Sequence, residues 1–395
     1  MTLKNPNYPL AGLRVLDFSR VLAGPFAARM LSDLGADVVK VEPPDGDVTR
    51  YWGKEVAAQA GYFHQQNAGK RNICIDLSKK GARELILDMV QQADFVIENY
   101  RSDVMPRLGL GYEDLKETNP GIIMLSISGF GQKSPETKRP AYAPVIHAEA
   151  GLLRRSNQLR DVKLHDLPLS VADTNAALHG LIAALSALHM RQRTGKGQHI
   201  DMAMIEATVA TDDQLHYDLD GSHHTGPLPN EIWELPFGAV LLSTDFRLFF
   251  RLLVGELGLV DPATDQMALD EKIKARREAT QQFLNDLGTR EKFTEAMTTI
   301  NIPWGDVRDP AEVGTQPTLA ARGIFTEIDD RAGGQRQITQ SPYHFSDAES
   351  GVKGSVAYRG ENYSEVLLDW LGMSGEEIDS LLTTGIVLYD PEWHI

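Results

Sequence analysis

Two strands joined by a short helix near the start of the sequence constrain the fold more than any other feature. Residues 12–18 are apolar and of strand length, a helix is predicted from Pro25 to Gly35, and residues 36–42 form a second apolar strand. A strand, a helix and a strand in this order imply a parallel sheet. No G-x-G-x-x-G motif joins the first strand to its helix, so the sequence does not support a dinucleotide site.

The same alternation continues along the chain. Strands are predicted at 72–77, 94–99 and 122–128, with helices at 80–92 and 112–117. Loops that follow parallel strands lie at the carboxyl edge of the sheet, where open α/β folds usually bind ligands. We therefore predict an α/β fold with ligand-binding loops at 99–101 and 129–132.

A stretch rich in glycine, proline and histidine at 220–229 is the clearest linker in the sequence. We place a first domain at 1–222, a smaller α+β domain at 230–323 and a C-terminal part at 324–395, which returns to strand-like and then helical patterns. Within the smaller domain the predicted elements are strands at 239–242 and 247–253 and helices at 270–287 and 290–300.

Composition and charge exclude several classes of function. The net charge of −16 argues against general nucleic-acid binding, which needs a basic surface. The single cysteine, Cys74, excludes an intrachain disulfide and a multi-cysteine metal site. The histidines His216, His223 and His224 lack zinc-binding spacing, so we expect no metal. With no signal peptide and no apolar run of transmembrane length, we expect a cytoplasmic protein that contacts no membrane.

A helix rich in small apolar residues is predicted from Thr174 to Arg191, and Asp173 falls at its N-cap position. Aspartate is a preferred capping residue, and the helix dipole stabilises a carboxylate there. Local pattern alone therefore leaves a purely structural role for Asp173 open.

Asp173, the small-residue helix and the following 191–198 segment (RQRTGKGQ) together resemble the catalytic segment of the class III CoA-transferases, which include formyl-CoA and carnitine CoA-transferases and the α-methylacyl-CoA racemases. Further motifs occur in the family's order over nearly the whole chain. They are LAGLRVLD at 10–17, AGP at 23–25, LGADVVKVE at 34–42, GKRN at 69–72, VIENY at 96–100, RLG at 107–109, SGFGQ at 128–132, IPWGDV at 302–307, QP at 316–317 and GENYSEVL at 360–367.

This resemblance implies both a fold and an activity. The implied fold is a large Rossmann-like domain formed by both chain ends plus a small domain, in an interlocked homodimer. The implied activity moves CoA from an acyl-CoA donor to a free carboxylic acid, with Asp173 attacking the thioester and passing through an anhydride and an aspartyl-CoA thioester. Gly24, Gly129 and Gly131 are candidates for the backbone N–H donors that stabilise the oxyanions.

The resemblance also implies CoA-binding positions. Asn99, Tyr100 and Arg107 match polar or charged positions that bind CoA in the family, and Val21 and Ile75 match apolar contacts. The remaining candidates are the charged residues Arg20, Lys79 and Arg139, which lie at or beside such positions. Arginine and lysine suit phosphates in charge and donor geometry, although each could equally be a solvated surface charge.

Two alternatives remain. In the racemase branch a histidine and an aspartate act as acid and base, with a glutamate from the small domain. Here Tyr142 occupies the histidine position and Leu242 lies near the glutamate position, which favours transfer. His147, which is nearby, is interpreted as a packed or hydrogen-bonded histidine. The second alternative is an acyl-CoA-binding homologue without turnover.

Overall fold

The computed structural model describes residues 7–160, 163–222 and 230–389. These residues fall into two compact units, the larger made of the chain up to Asp212 and from Arg322 onward, and the smaller of Asp213–Ala321. The predicted linker at 220–229 lies mostly outside the described residues, as do His223 and His224. The domain limits proposed from the sequence therefore stay a prediction.

The strands are β1 (Arg14–Asp17), β2 (Asp37–Glu42), β3 (Glu55–Val56), β4 (Gln59–Ala60), β5 (Arg71–Ile75), β6 (Phe95–Glu98), β7 (Ile123–Ser128), β8 (His199–Ala203), β9 (Asn230–Leu235), β10 (Gly238–Ser243), β11 (Trp304–Asp306), β12 (Phe325–Asp329), β13 (Gln335–Thr339) and β14 (Val387–Leu388).

The helices are α1 (Ala23–Asp33), α2 (Gly61–Asn67), α3 (Ala82–Gln91), α4 (Val104–Arg107), α5 (Tyr112–Thr118), α6 (Ala143–Glu149), α7 (Leu152–Arg160), α8 (Val171–Thr194), α9 (Met204–Ala210), α10 (Leu215–Leu219), α11 (Phe246–Glu256), α12 (Leu269–Leu287), α13 (Arg290–Thr299), α14 (Pro317–Ala321), α15 (Tyr363–Leu371) and α16 (Gly375–Thr383). In the described part of the chain, 3₁₀ turns lie at Val48–Tyr51 and Pro310–Thr315.

The larger unit is built on a seven-stranded sheet in the order β14-β5-β2-β1-β6-β7-β8. All neighbours in it are parallel except the short edge strand β14, which runs antiparallel to β5. The prediction of an α/β fold is thereby confirmed. The chain fills one side of β1 first and then crosses to β6, so β1 and β6 form the switch point of the sheet. Ligands bind at such points in open α/β folds.

Helices cover both faces of this sheet. On one face α8 packs over β7 and α1 over β1, β2 and β6. On the other face the buried side chains of α3 and α15 form one cluster with those of the strands, and α15 lies against β5. Helix α8 presents small residues to the sheet, and at Gly180 an added Cβ would lie only 3.0 Å from Leu125. The small residues predicted to form this helix therefore allow its close approach to the strand.

Helix α8 contradicts the expectation that the chain has no apolar run of transmembrane length. Its most apolar 18-residue window has a mean hydropathy of 1.3, so by length and composition the helix could cross a membrane. In the structure it packs against the sheet and α1, as a core helix does, and 39% of that window is buried. The expectation that the protein contacts no membrane stays a prediction.

The smaller unit contains an antiparallel sheet in the order β11-β10-β9 and the helices α11 to α13. Its core includes Trp233, Phe249 and Phe293. The strand predicted at 247–253 is wrong, because these residues belong to α11. The Asp245 carboxylate caps that helix by accepting the N–H groups of Arg247 and Leu248.

Candidate active site

Asp173 is the third residue of α8 and lies in its first turn. The helix begins at Val171 with Ser170 at the N-cap, so the predicted N-cap position of Asp173 is wrong. The reason is His147, a fully buried residue of α6, whose Nε2 accepts the N–H of Ala172 at 3.2 Å. This side chain satisfies one of the unpaired N–H groups of the first turn and leaves Asp173 free for another role.

The ring of His147 is itself fixed by a carboxylate. Its Nδ1 lies 2.9 Å from Oδ1 of Asp166. Because Nε2 accepts the Ala172 N–H, Nδ1 must carry the proton that is donated to Asp166. His147 is therefore a hydrogen-bonded structural histidine that supports the start of α8, in agreement with its interpretation from the sequence.

Burial raises the pKa of Asp173 from 3.8 to about 6. A hydrogen bond from the backbone N–H of Ala23 and the neighbouring His147 oppose this rise without cancelling it. The expectation that a capping position keeps the carboxylate ionised by itself needs correction, because desolvation is the larger effect. At neutral pH Asp173 is still mostly ionised, and it is more basic than an ordinary aspartate.

Ala23 reaches Asp173 because the chain turns sharply between β1 and α1. Val21 has a φ of +68°, and the N–H groups at the start of α1 have no acceptors within the helix. Gly24 lies against Ser19 and close to Asn99, and an added Cβ would overlap the Ser19 side chain. The glycine is thus required for the close approach of the helix start to the preceding loop.

A cavity of about 480 Å³ adjoins Asp173 at the switch point of the sheet. Four arginines line it, Arg20, Arg101, Arg107 and Arg139. The other lining residues are Val21, Ala23, Asn99, Tyr100, Asp103, Val104, Ile127, Ser128, Gly129, Thr137, Pro140, Ala141, Tyr142, Asp173 and Met204. A protein with a net charge of −16 thus concentrates guanidinium groups around one cavity, which suits an anionic ligand.

The structure brings most of the sequence-predicted residues together around this cavity. They are Arg20, Val21, Asn99, Tyr100, Arg107, Gly129, Arg139, Tyr142 and Asp173. The lining does not include Gly24, Ile75, Gly131 and Lys79. Ile75 is fully buried in β5, Lys79 is exposed after that strand, and the Gly131 N–H donates to Oγ of Ser128 at 3.1 Å.

Asn99 has a contact that the sequence could not show. Its Oδ1 accepts the Arg20 N–H at 2.8 Å and its Nδ2 donates to the Arg20 carbonyl at 2.7 Å. The side chain is therefore engaged with the loop after β1. Beside it the Arg20 guanidinium lies 5.4 Å from the centre of the Tyr100 ring, and burial raises the pKa of Tyr100 to about 12.

The sequence predicted a ligand-binding loop at 99–101 but assigned no individual role to Arg101, Ala23 or Tyr62. Arg101 directly follows two predicted residues at the end of β6, so its position was a sufficient signal. Tyr62 is the second residue of α2, and the negative charge of Asp173 adds to burial in raising its pKa to about 12. No local pattern links Tyr62 or Ala23 to Asp173, because they come from distant parts of the chain.

Among the residues that the structure describes, no group of histidine, cysteine, aspartate and glutamate side chains is arranged to hold a metal ion. The expectation that the protein needs no metal stays a prediction.

The known proteins that this chain resembles belong to one family. The profile of CoA-transferase family III matches residues 10–361. The succinate–glutarate CoA-transferase of Agrobacterium fabrum is 30% identical over 93% of this chain and 97% of its own length. The acetyl-CoA:oxalate CoA-transferase of Acetobacter aceti is 32% identical over 82% of this chain and 87% of its own.

A solved structure supports the same assignment. The crystal structure of a CaiB/BaiF family protein from Brucella suis superposes with a TM-score of 0.77 at 31% sequence identity, covering 92% of this chain and all of the other. The resemblance identified from the motifs is therefore confirmed, and the chain belongs to CoA-transferase family III.

Proposed function

We propose that this protein transfers CoA from an acyl-CoA to a free carboxylic acid through covalent intermediates on Asp173. The observation that carries the proposal is the position of Asp173, a desolvated carboxylate with a pKa of about 6 beside a cavity lined by four arginines. A carboxylate nucleophile and a site for a polyanionic carrier are the two elements that such a transfer needs.

In the proposed reaction a carboxylate oxygen of Asp173 attacks the thioester carbonyl, and the C–S bond breaks to give a mixed anhydride and CoA thiolate. The thiolate then attacks the aspartyl carbonyl of the anhydride, releasing the first carboxylic acid and leaving an aspartyl-CoA thioester. The acceptor carboxylate attacks the aspartyl carbonyl of this thioester, and the C–S bond breaks to give a second mixed anhydride and CoA thiolate. The thiolate then attacks the acceptor carbonyl of that anhydride, forming the new acyl-CoA and releasing the Asp173 carboxylate. Each intermediate remains activated, so no free energy is lost to hydrolysis if water is excluded.

The surroundings of Asp173 suit these steps. The Ala23 N–H donates to the carboxylate in the resting state and can donate to the aspartyl oxygen as negative charge develops on it. Gly129 lines the cavity, and its Cα lies so close to Ala141 that a side chain would clash. We propose that the backbone of Gly129 contacts the reacting acyl group.

We place the phosphates of CoA near the arginines. Arg107 and Arg139 each pair with a carboxylate, Asp103 at 3.1 Å and Glu149 at 2.5 Å, and both are exposed enough to exchange that partner for phosphate. The relatives named above act on succinate, glutarate and oxalate, so we propose small dicarboxylic acids as acceptors.

We further propose a cytoplasmic homodimer. Support for a partner chain comes from α8, which exposes Leu178, Ile182 and Met190, with Ile182 62% exposed. A row of apolar side chains on the outer face of a core helix is typical of a protein–protein interface. Light scattering after size-exclusion chromatography should give twice the chain mass, and a monomer at micromolar concentration would contradict the dimer.

The function is tested by trapping the intermediate. The protein is mixed with a panel of acyl-CoAs, quenched with hydroxylamine or borohydride, and mapped by peptide mass spectrometry. We expect a hydroxamate or a reduced side chain on the peptide that contains Asp173, and the acyl-CoA that produces it identifies the donor.

The same samples test the alternatives. Exchange of the α-proton of an acyl-CoA with deuterated water, without an adduct, would indicate racemase chemistry instead. Binding of acyl-CoA with neither adduct nor exchange would indicate a homologue without turnover. Tyr142 lines the cavity at the position where the racemase branch has a histidine, so the imidazole of that acid–base pair is replaced here.

A further inference from the structure

The loop between β1 and α1 holds a strained residue next to the Asp173 site. Val21 has a φ of +68°, a conformation that is rare and strained for a β-branched residue. Two residues later Ala23 lines the same cavity as Asp173, and its backbone N–H acts on the Asp173 carboxylate and lowers its pKa. Something outside the loop must therefore keep Val21 in this conformation.

Side chains from three other segments bind the backbone of this loop. The Ser19 carbonyl accepts a hydrogen bond from Nζ of Lys40 at 2.7 Å, and the Ser19 N–H donates to Asp17 at 3.0 Å. The Asn99 side chain forms hydrogen bonds with both the backbone N–H and the backbone carbonyl of Arg20. The Val21 N–H points at the Asp47 carboxylate, 3.3 Å from Oδ2. The loop conformation is thus specified by side chains that lie outside it.

Two of these side chains form a buried ion pair. Nζ of Lys40 lies 3.2 Å from Oδ2 of Asp47, with 1% and 0% of the two side chains exposed. Although burial opposes both charges, the attraction of Lys40 lowers the pKa of Asp47, and Asp47 with Asp17 raises that of Lys40. The pair therefore remains ionised, and each member also binds one end of the strained loop.

We propose that Asp47 and Lys40 are positioning residues of the transfer reaction, which act through the 19–22 loop to aim the Ala23 N–H at the Asp173 carboxylate. The inference rests on the proposed function of Asp173. It adds two residues from β2 and the following 3₁₀ turn that touch neither the cavity nor Asp173.

The inference makes a prediction for the titration of Asp173. The titratable groups that face Asp173 are Tyr62 from α2 and His147 from α6, and neither belongs to the ion pair. Tyr62 also interacts with Asp47, but loss of the Asp47 negative charge by this route lowers the pKa of Asp173, so a rise can come only through the loop. Because the Ala23 hydrogen bond lowers the pKa of Asp173, a misaligned loop must raise it.

The test compares Asp47→Asn with Asp33→Asn. Asp33 forms an equally buried ion pair with Arg29 at 2.8 Å at the far end of α1, with 1% and 0% of the side chains exposed, and it does not contact the loop. Carbon-13 NMR of aspartate carboxyl groups, with the Asp173 signal assigned by its loss in Asp173→Asn, gives the Asp173 titration midpoint. Steady-state assays give kcat and KM.

We expect Asp47→Asn to raise the Asp173 midpoint by roughly half a pH unit and to lower kcat by about tenfold to a hundredfold with little change in KM. Asp33→Asn should lower thermal stability by a similar amount and leave both the midpoint and kcat unchanged. An unshifted midpoint in Asp47→Asn, or equal effects of the two variants, would overturn the inference.

Two further variants separate positioning from simple destabilisation. Glycine adopts positive φ without strain, so the effect of Asp47→Asn on kcat should shrink when it is measured in a Val21→Gly background. An undiminished effect contradicts the inference. If Asp47→Asn does not fold, the double variant Lys40→Met with Asp47→Asn removes the unpaired charge and allows the same titration.

The outcomes also distinguish this inference from the proposed function. If wild-type protein forms no adduct on Asp173 but Asp47→Asn still shifts its midpoint, the covalent mechanism fails while the link through the loop stands. If wild-type protein forms the adduct and the midpoint does not move, the mechanism stands and the inference fails.

Discussion

Asp17 and Asp173 are two largely buried carboxylates in the same unit, and their pKa values are shifted in opposite directions. Desolvation raises the pKa of both. At Asp17 the ammonium of Lys70, 2.8 Å away, together with Lys40 reverses the effect and lowers the pKa. In the described part of the chain Asp173 forms no ion pair, and its pKa is raised to about 6. Whether a buried carboxylate is stabilised or left reactive thus depends on the cations beside it.

The two sites differ because they serve different purposes. Asp17 belongs to a network with Lys70, Lys40 and Asp47 beneath the loop that leads into α1, and each charge in it has a partner. At Asp173 the backbone N–H of Ala23 and the nearby His147 offset burial only in part, so its negative charge is incompletely compensated. An uncompensated carboxylate is more basic and a better nucleophile, at some loss of folding stability.

Replacing Asp173 should have the largest effect, which is a loss of CoA-transfer activity. Asp173→Ala should reduce CoA transfer by at least about a thousandfold, because the nucleophile is lost. It should leave the fold and the oligomeric state unchanged, since no cation loses its partner. Initial rates with the donor found by trapping, together with circular dichroism, provide the measurement. A variant that retains activity would disprove the covalent mechanism.

The corresponding change in the ion-pair network should affect stability. Lys70→Met leaves Asp17 buried without its main partner and removes donors to Pro25 and Asn67, so the free energy of unfolding should fall by about 3–5 kcal/mol. Lys116→Met, which removes a lysine 52% exposed, is the control and should change it by less than about 1 kcal/mol. Urea unfolding measures both, and equal values would mean that the network adds nothing.

The contrast also predicts opposite dependences on pH. The folded pKa of Asp173 exceeds the unfolded value of 3.8, so its ionised form destabilises the fold above about pH 6, and this penalty is relieved as pH falls towards 4. The lowered pKa of Asp17 acts the other way, because its stabilisation is present above the unfolded pKa and is lost as pH falls through the folded one.

Urea unfolding of wild-type protein and Asp173→Asn at several pH values tests this. At pH 7.5 the variant should be more stable by about 2 kcal/mol, and the difference should vanish near pH 4. The transfer rate of the wild type should fall below about pH 6 as Asp173 becomes protonated. A stability difference that is independent of pH would show that Asp173 is not desolvated.

The sequence predicted the sheet well and the polar contacts poorly. Strands such as β1 and β2 were recognised because buried parallel strands are short apolar runs, and Asn99 and Tyr100 because they follow such a run. The segment 247–253 was mistaken for a strand because its phenylalanines and leucines show no clear period. The capping carboxylate of Asp245 was the local signal for a helix.

Contacts between distant residues explain the remaining errors. Asp173 was assigned to an N-cap, but the helix begins earlier, at Val171, and its Ala172 N–H is bound by His147, which lies 25 positions before Ala172. Lys70 and Asp17 are 53 positions apart, and no local pattern pairs them. The position of the reactive carboxylate could be inferred from family motifs, whereas its pKa depends on burial and on the loop around Val21, which only the folded chain defines.

The smallest expected effect concerns charges that are neither buried nor nucleophilic. The side chain of Arg107 is 69% exposed, lines the cavity and pairs with Asp103, whereas Arg83 is 43% exposed, lies outside the lining and contacts Asp114 at 3.7 Å. If Arg107 binds a CoA phosphate equally in the ground and transition states, Arg107→Gln should raise KM for acyl-CoA about threefold to tenfold and leave kcat unchanged. Arg83→Gln should change neither constant.

Since solvent screens exposed charges, the wild-type KM should also rise with salt, and more steeply than that of Arg107→Gln. A loss confined to kcat would instead place Arg107 with Asp173 among the groups that act on the reacting atoms.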